Sequence, residues 1–401
     1  MSRAWHFHTA GEIVFGRGAV QELGKLARRR GIERAVVVTD PPIIKAGLLT
    51  QVVESLVQAG VAATVFDGGE PEPSLTAVQS CVKAAQKSNA QALVSVGGGS
   101  NTDLAKAAAI LLAHGGSIRD YFGEDKVPGP VGPLIAVSTT AGTGAEVSGA
   151  AVLTDKERHL RASILSNYIR PTLALFDPLL TVTCPPRVTA DAGIDALTHA
   201  IEAYMATDYR YVALPEGQVS IYNGKFPLAD CLAVEAMRLI GANLRLGVHQ
   251  GTNLEARENM HLASLLAGMS FSNAAVALVH AIEYPIGVLT HCTHGAGNGL
   301  LLPYVMEYNM PARQRELREI AVALGESVEG LTDYQAAERA VAAVRRLEAD
   351  IGTPMRLRDL GLREEQMPGI AQEVVGLARL MRNNPRLPTE ADVMAILRAA
   401  W

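Results

Sequence analysis

Hydrophobic positions in the first 180 residues come as short β-branched runs separated by longer stretches with helical spacing. Residues 35–39 (AVVVT), 62–66 (AATVF), 92–96 (ALVSV) and 134–137 (LIAV) read as strands, while residues 48–59 and 75–88 repeat their apolar side chains at helical intervals. Helices that cross between such strands build a parallel sheet, so residues 1–180 are expected to form a doubly wound α/β domain of the dinucleotide-binding kind. Beyond the Asp-Pro pair at 177–178 the strand signals nearly stop, and residues 181–401 are expected to form an all-α domain. Two interruptions, 207–227 and 288–299, are longer than ordinary helix connections and mark candidate functional loops.

Composition narrows the function. With 401 residues, 48% of them hydrophobic, the chain can bury the cores of two domains. Its 41 acidic and 36 basic residues leave a net charge of -5, which offers no surplus to neutralise a phosphate backbone, so nucleic acid is not an expected partner. The four cysteines, Cys81, Cys184, Cys231 and Cys292, form no CxxC pair, as expected of reduced thiols in a cytoplasmic protein. The first residues lack a cationic start followed by an apolar core, and no apolar run spans a bilayer, so no membrane association is expected.

Two segments carry nucleotide-binding chemistry. GGGS at 97–100 follows a strand and precedes a helix expected to begin around Thr102, which brings bare amides and a helix N-terminus together as a pyrophosphate requires. The spacing is not G-x-G-x-x-G, and glycines after a strand also serve as plain turns. STTAGTG at 138–144 also follows a strand and offers hydroxyls beside glycines as a second wall. Asp40, at the end of the AVVVT run, can accept hydrogen bonds from an adenosine ribose and repel a 2'-phosphate, which favours NAD over NADP.

A metal constellation lies in the second half. In DAGIDALTHAIEAY, Asp195 and His199 are four apart on one helix face. In ALVHAIEYPIGVLTHCTHGAGNG, His280 lies in an apolar helix, and His291 or His294, which spacing alone does not separate, follows a Pro-Gly turn. One carboxylate with three imidazoles suits Fe(II) or Zn(II). His6, His8, His159, His249 and His261 belong to no such pattern and read as structural or solvated.

With these segments in hand, the chain resembles the iron-containing, group III, alcohol dehydrogenase family over nearly its whole length. The collinear matches are FGRGA at 15–19, GGGSNTDLAK at 97–106, TTAGTGAEV at 139–147, DAGIDALTHAIEAY at 191–204 and NNPRLPTEAD at 383–392. The resemblance implies an N-terminal dinucleotide domain and a helical metal domain with the site in the cleft. It places Asp195, His199, His280 and His294 at the four metal positions, so His294 rather than His291 takes the last. It also implies that Gly98, Gly99, Ser100, Asp103, Thr139, Thr140 and Thr143 line the dinucleotide, with Asp40 at the adenosine ribose.

Two departures stand out. Members often carry a second histidine four residues after the third ligand, assigned to proton relay, where this chain has Tyr284, which could hydrogen-bond the substrate. A lysine common near the nicotinamide ribose is replaced by Arg161, which keeps the charge and changes the geometry. Residues 256–274 through EYPIG at 283–287, and the insert after the first ligand helix, look like the hydroxyacid-oxoacid transhydrogenase branch, for which Arg210 and Lys225 are candidate carboxylate anchors.

The resemblance thus implies a metal-dependent, NAD(P)-linked dehydrogenase acting on a small primary alcohol or its aldehyde, and the apolar FGRGA region with an exposed early strand leads to the expectation of a homodimer. Its alternatives are a hydroxyacid-oxoacid transhydrogenase or a 4-hydroxybutyrate-type dehydrogenase. A non-redox enzyme of the dehydroquinate synthase kind on the same scaffold would need phosphate-binding basic residues near 195–204, where none stands out.

Overall fold

The computed structural model describes residues 4–158, 160–214 and 220–401 and divides into two compact units. One comprises residues 8–184 with Ser220 and Ile221; the other holds residues 4–7, 185–214 and 222–401. Among the described residues no helix is long and apolar enough to cross a membrane.

The α/β unit runs β1 (Ile13–Phe15), α1 (Leu23–Arg29), β2 (Arg34–Val38), α2 (Pro41–Lys45), α3 (Leu48–Gln58), β3 (Ala62–Phe66), α4 (Leu75–Lys87), β4 (Ala92–Gly97) and α5 (Gly99–His114). It continues through β5 (Gly123–Glu124), β6 (Leu134–Ser138), β7 (Ala150–Asp155), β8 (Leu160–Leu165) and β9 (Leu173–Phe176). Six strands form a wholly parallel sheet in the order β1-β9-β6-β4-β2-β3. Both faces are covered, which explains why its strands read as continuous apolar runs. Along β2, Val36 and Val38 pack with the buried side chains of α4 and α5, while Ala35 and Val37 pack with those of α1 and α3.

Chain order reverses at β2: the connection through α3 places β3 on one side, and that through α4 places β4 on the other. The carboxyl ends of β2 and β4 therefore flank the switch point of the sheet, where open α/β sheets bind ligands.

Two readings of this unit need correction. Helix α5 starts at Gly99, three residues before the expected Thr102, because the helical turn begins within the glycines themselves. A second sheet, in the order β5-β8-β7 and built on the antiparallel β7–β8 pair, had no counterpart among the expected strands. Its β7 alternates half-buried and buried positions instead of forming an apolar run.

The second unit is helical, with α6 (Pro186–Met205), α7 (Pro227–His249), α8 (Leu254–Phe271), α9 (Leu278–Thr290), α10 (His294–Asn309), α11 (Gln314–Ala323), α12 (Asp333–Ile351), α13 (Met367–Gly376), α14 (Ala378–Met381) and α15 (Glu390–Ala399). Helix α6 packs against α7, α8 and α10 and is buried almost all round from Thr189 to Met205. The expected loop over 288–299 is largely helix: α9 runs to Thr290 and α10 begins at His294, with three residues between them. Pro285 and Gly287 lie inside α9 and make no turn. The glycines after His294 serve packing, since a Cβ on Gly295 would fall 1.9 Å from the Asp191 carbonyl oxygen of α6.

Candidate metal centre and dinucleotide site

In the helical unit, one turn of α6 separates Asp195 from His199, and Glu202 follows on the same face. Single ligand atoms of Asp195, His280 and His294 lie within 4.8 Å of one another. His199 stands beside this trio, its Nδ1 3.9 Å from Asp195 Oδ2 and its ring stacked on Phe271 at 4.1 Å and on His280 at 4.9 Å. His291 is exposed and ends α9 in the left-handed region with φ 54°, while His294 opens α10. Tyr284 lies with its ring centre 6.1 Å from that of His294.

Two buried glutamates that sequence reasoning missed aim the imidazoles. Glu202 Oε2 is 2.5 Å from His280 Nδ1, and Glu283 Oε2 is 2.5 Å from His294 Nδ1. Each bond makes Nδ1 the protonated nitrogen and leaves Nε2 with a bare lone pair, the tautomer that binds a cation. Glu202 also accepts the Ala277 and Val279 amides at 3.0 and 2.6 Å, and so caps the start of α9, which has no side-chain cap of its own. The available signal was positional: Glu202 lies three residues after His199, and Glu283 three after His280.

Asn298, one turn beyond His294, was also missed. Its Nδ2 lies 2.8 Å from Asp195 Oδ1, 3.2 Å from His280 Nε2 and 3.1 Å from His294 Nε2. An amide has two hydrogens, so it cannot serve three acceptors fully. A carboxylate oxygen and two imidazole lone pairs that face one point are the donor set of a divalent cation, and these residues fit one. Burial pushes the Asp195 carboxyl up, but the coulombic pull of His199, His294 and His280 in their protonated forms, with the Asn298 amide, outweighs it and holds the group below the ordinary carboxylate value. Of the remaining histidines, His249 Nε2 meets the Asp350 carbonyl at 2.8 Å, and burial pushes His261 down to about 3, a neutral core residue. His159 lies outside the described residues.

Replacing Glu202 by Gln keeps the shape and removes the charge that holds His280. The expected result is metal affinity weakened about 10- to 100-fold, read by competition with a chromophoric chelator. Unchanged affinity would reduce Glu202 to a helix cap.

In the α/β unit, the first turn of α5 has no side-chain cap, so its amides stay available to an anion. A Cβ on Gly99 would fall 2.8 Å from Thr143, and one on Gly98 3.3 Å from the Thr140 hydroxyl, so the two expected walls touch each other only because these residues are glycines. Thr139 is buried and its hydroxyl has no hydrogen-bond partner among the described residues. A bare helix start, an orphan hydroxyl and a switch-point crevice fit a dinucleotide. Asp40 caps α2 by accepting the Ile43 amide at 2.9 Å and keeps a half-buried carboxylate there.

Other expected contacts are committed within the protein. Asp103 accepts the Val152 amide at 3.0 Å and Thr143 the Ala145 amide at 3.3 Å, whereas Arg161, on β8, pairs with Glu72. Ser100 lies half-buried in the first turn of α5.

Comparison with known proteins decides the family. The iron-containing alcohol dehydrogenase profile matches residues 10–178, and the C-terminal profile of the same family matches residues 216–401. The chain belongs to the iron-containing alcohol dehydrogenase family.

Among its relatives, the 1,3-propanediol dehydrogenase of Klebsiella pneumoniae is 39% identical over 389 residues, covering 96% of each chain. The NAD-dependent methanol dehydrogenase of Bacillus methanolicus is 37% identical, covering 96% of this chain and 97% of that one. A solved 1,3-propanediol oxidoreductase superposes with a TM-score of 0.94 at 37% identity over 100% of both chains. As a family member this iron-containing alcohol dehydrogenase is an oxidoreductase acting on CH-OH groups.

Proposed function

We propose that the chain interconverts a small primary alcohol and its aldehyde with NAD as the hydride carrier, in a cytoplasmic homodimer, and that Asp195, His199, His280 and His294 hold a divalent iron or zinc. The observation that carries this reading is the donor set converging at Asp195, His280 and His294, backed by two buried glutamates. Relatives named for 1,3-propanediol and methanol support the substrate class.

When bound, the ion polarises the substrate oxygen and the nicotinamide takes or gives the hydride, so that alcohol and NAD+ become aldehyde, NADH and a proton. The chain's residues do the positioning. Glu202 and Glu283 hold the imidazole tautomers, and Tyr284 offers a phenolic hydroxyl to the substrate oxygen in place of an imidazole relay. Gly98, Gly99 and Ser100 present α5 amides to the pyrophosphate, and Thr139, Thr140 and Thr143 form the facing wall. On this reading Asp103 and Arg161 stand near the cofactor while keeping their bonds to the Val152 amide and Glu72, and Asp40 receives the adenosine ribose and disfavours NADP. For the hydroxyacid alternative, a substrate carboxylate would compete with the existing pairs of the candidate anchors: Arg210 is held by both oxygens of Asp208, and Lys225 sits 2.6 Å from Asp230.

The test is aldehyde-dependent oxidation of NADH and NADPH by protein loaded separately with Fe(II) and Zn(II). Propionaldehyde and 3-hydroxypropionaldehyde are expected to turn over, faster with NADH. Turnover confined to succinic semialdehyde would move the assignment to the hydroxyacid branch, and none with full metal and NAD occupancy would leave a binding protein.

A further inference from the structure

The crevice between β2 and β4 is bridged by one side chain that motif reading passes over. Asn101, in the first turn of α5 and buried to 1% exposure, donates from Nδ2 to Asp40 Oδ2 at 2.9 Å and to the Val96 carbonyl at 3.0 Å. Both amide hydrogens are thereby used, which also fixes which end of the amide is nitrogen. Backbone lies close to both ends of the amide: a Cβ on Gly69 would fall 2.2 Å from Asn101 Oδ1, which is buried without a hydrogen-bond partner among the described residues, and one on Gly97, at φ 144°, 2.3 Å from Nδ2. The two bonds from Nδ2 hold the amide in place and, through it, Asp40, whose other oxygen is held by the Ile43 amide.

We propose that Asn101 is a positioning residue for cofactor choice, holding the Asp40 carboxylate where it meets a ribose diol and preventing it from swinging aside for a 2'-phosphate. The inference rests on the reading of Asp40 as the NAD-selecting residue. Each Asp40 oxygen is bound once and retains lone-pair capacity for a hydroxyl, so the lock does not consume the site. A 2'-phosphate would meet a negative charge that cannot retreat, whereas with the Asn101 bond removed the carboxylate rotates about its own side-chain torsions and the repulsion weakens.

The experiment is fluorescence titration of NADH and NADPH into the wild type, Asn101→Ala, Asn101→Ser, Asp40→Ala and the Asn101→Ser/Asp40→Ala double variant, with a thermal melt of each. Wild type is expected to bind NADH more tightly. Asn101→Ala and Asn101→Ser are expected to lower the NADPH-to-NADH Kd ratio by about fivefold to tenfold, chiefly by tightening NADPH. Asp40→Ala is expected to abolish the preference, and the double variant to match it. Asn101 variants that weaken both cofactors equally, while Asp40→Ala still shifts the ratio, would overturn the role of Asn101 alone. An Asp40→Ala variant that keeps the wild-type ratio would overturn the Asp40 reading beneath it. Asn101→Ser retains a hydroxyl for the Val96 carbonyl, so it keeps the test open if Asn101→Ala melts early.

Discussion

His280→Ala is expected to yield protein that neither retains metal nor turns over alcohol. The substitution removes one of three mutually facing ligand atoms and frees Glu202, buried at 2% exposure, from its imidazole. Losing the ion's stabilisation of developing charge, worth several kcal/mol, corresponds to a fall in kcat/KM of roughly 10³-fold or more. Elemental analysis after gel filtration reads the metal and steady-state kinetics the turnover. Activity retained in a metal-free variant would sink the scheme.

The second large effect is expected in the α/β unit. Lys106 is fully buried, and its ammonium donates to the Ala145 carbonyl at 2.7 Å, the Ser148 hydroxyl at 3.0 Å and the Ala150 carbonyl at 2.7 Å. These bonds tie α5 to the segment that leaves the threonine wall. Burial pulls the ammonium down to about 8, with Asp103 and Glu146 pushing back. Lys106→Met would remove the cation that faces buried Glu146 and take from the Ala145 and Ala150 carbonyls and the Ser148 hydroxyl their shortest hydrogen bond, a loss of about 3 to 5 kcal/mol in denaturant unfolding. The pH sign is specific. Because the folded value lies below the ordinary 10.5, the cost of burying this charge is full below about pH 8 and is relieved as pH rises toward 10.5. Lys106→Met should remove that part of the alkaline stability profile, and a melt unchanged in both height and pH slope would refute the assignment.

Much of the fold could be read because the sheet is buried on both faces and its strands announce themselves as apolar runs. What escaped did so for physical reasons. The β7–β8 pair alternates buried and half-buried positions and turns through charged residues, so it lacks the run. Glycines at 295, 297 and 299 looked like loop because a helix-packing glycine is recognisable only when the neighbouring helix is known. Asp195 and His199 were readable as a pair because one helix turn relates them, whereas the approach of His280 and His294 depends on contacts between helices. Glu202, Glu283 and Lys106 were invisible for a common reason: charged residues are presumed solvated until their buried partners are seen.

Strand β1 pairs with β9, so the first strand of the α/β unit has its hydrogen-bonding partner at residues 173–176. On a ribosome that partner does not yet exist when β1 emerges, and at ordinary synthesis rates roughly ten to thirty seconds pass before it does. Through that interval the apolar edge of β9's future neighbour has nothing to pair with, and the sheet closes last at its first-made strand. A nascent chain stalled before residue 173 therefore exposes an unfinished sheet to chaperones and proteases, whatever the state of its glycine loop.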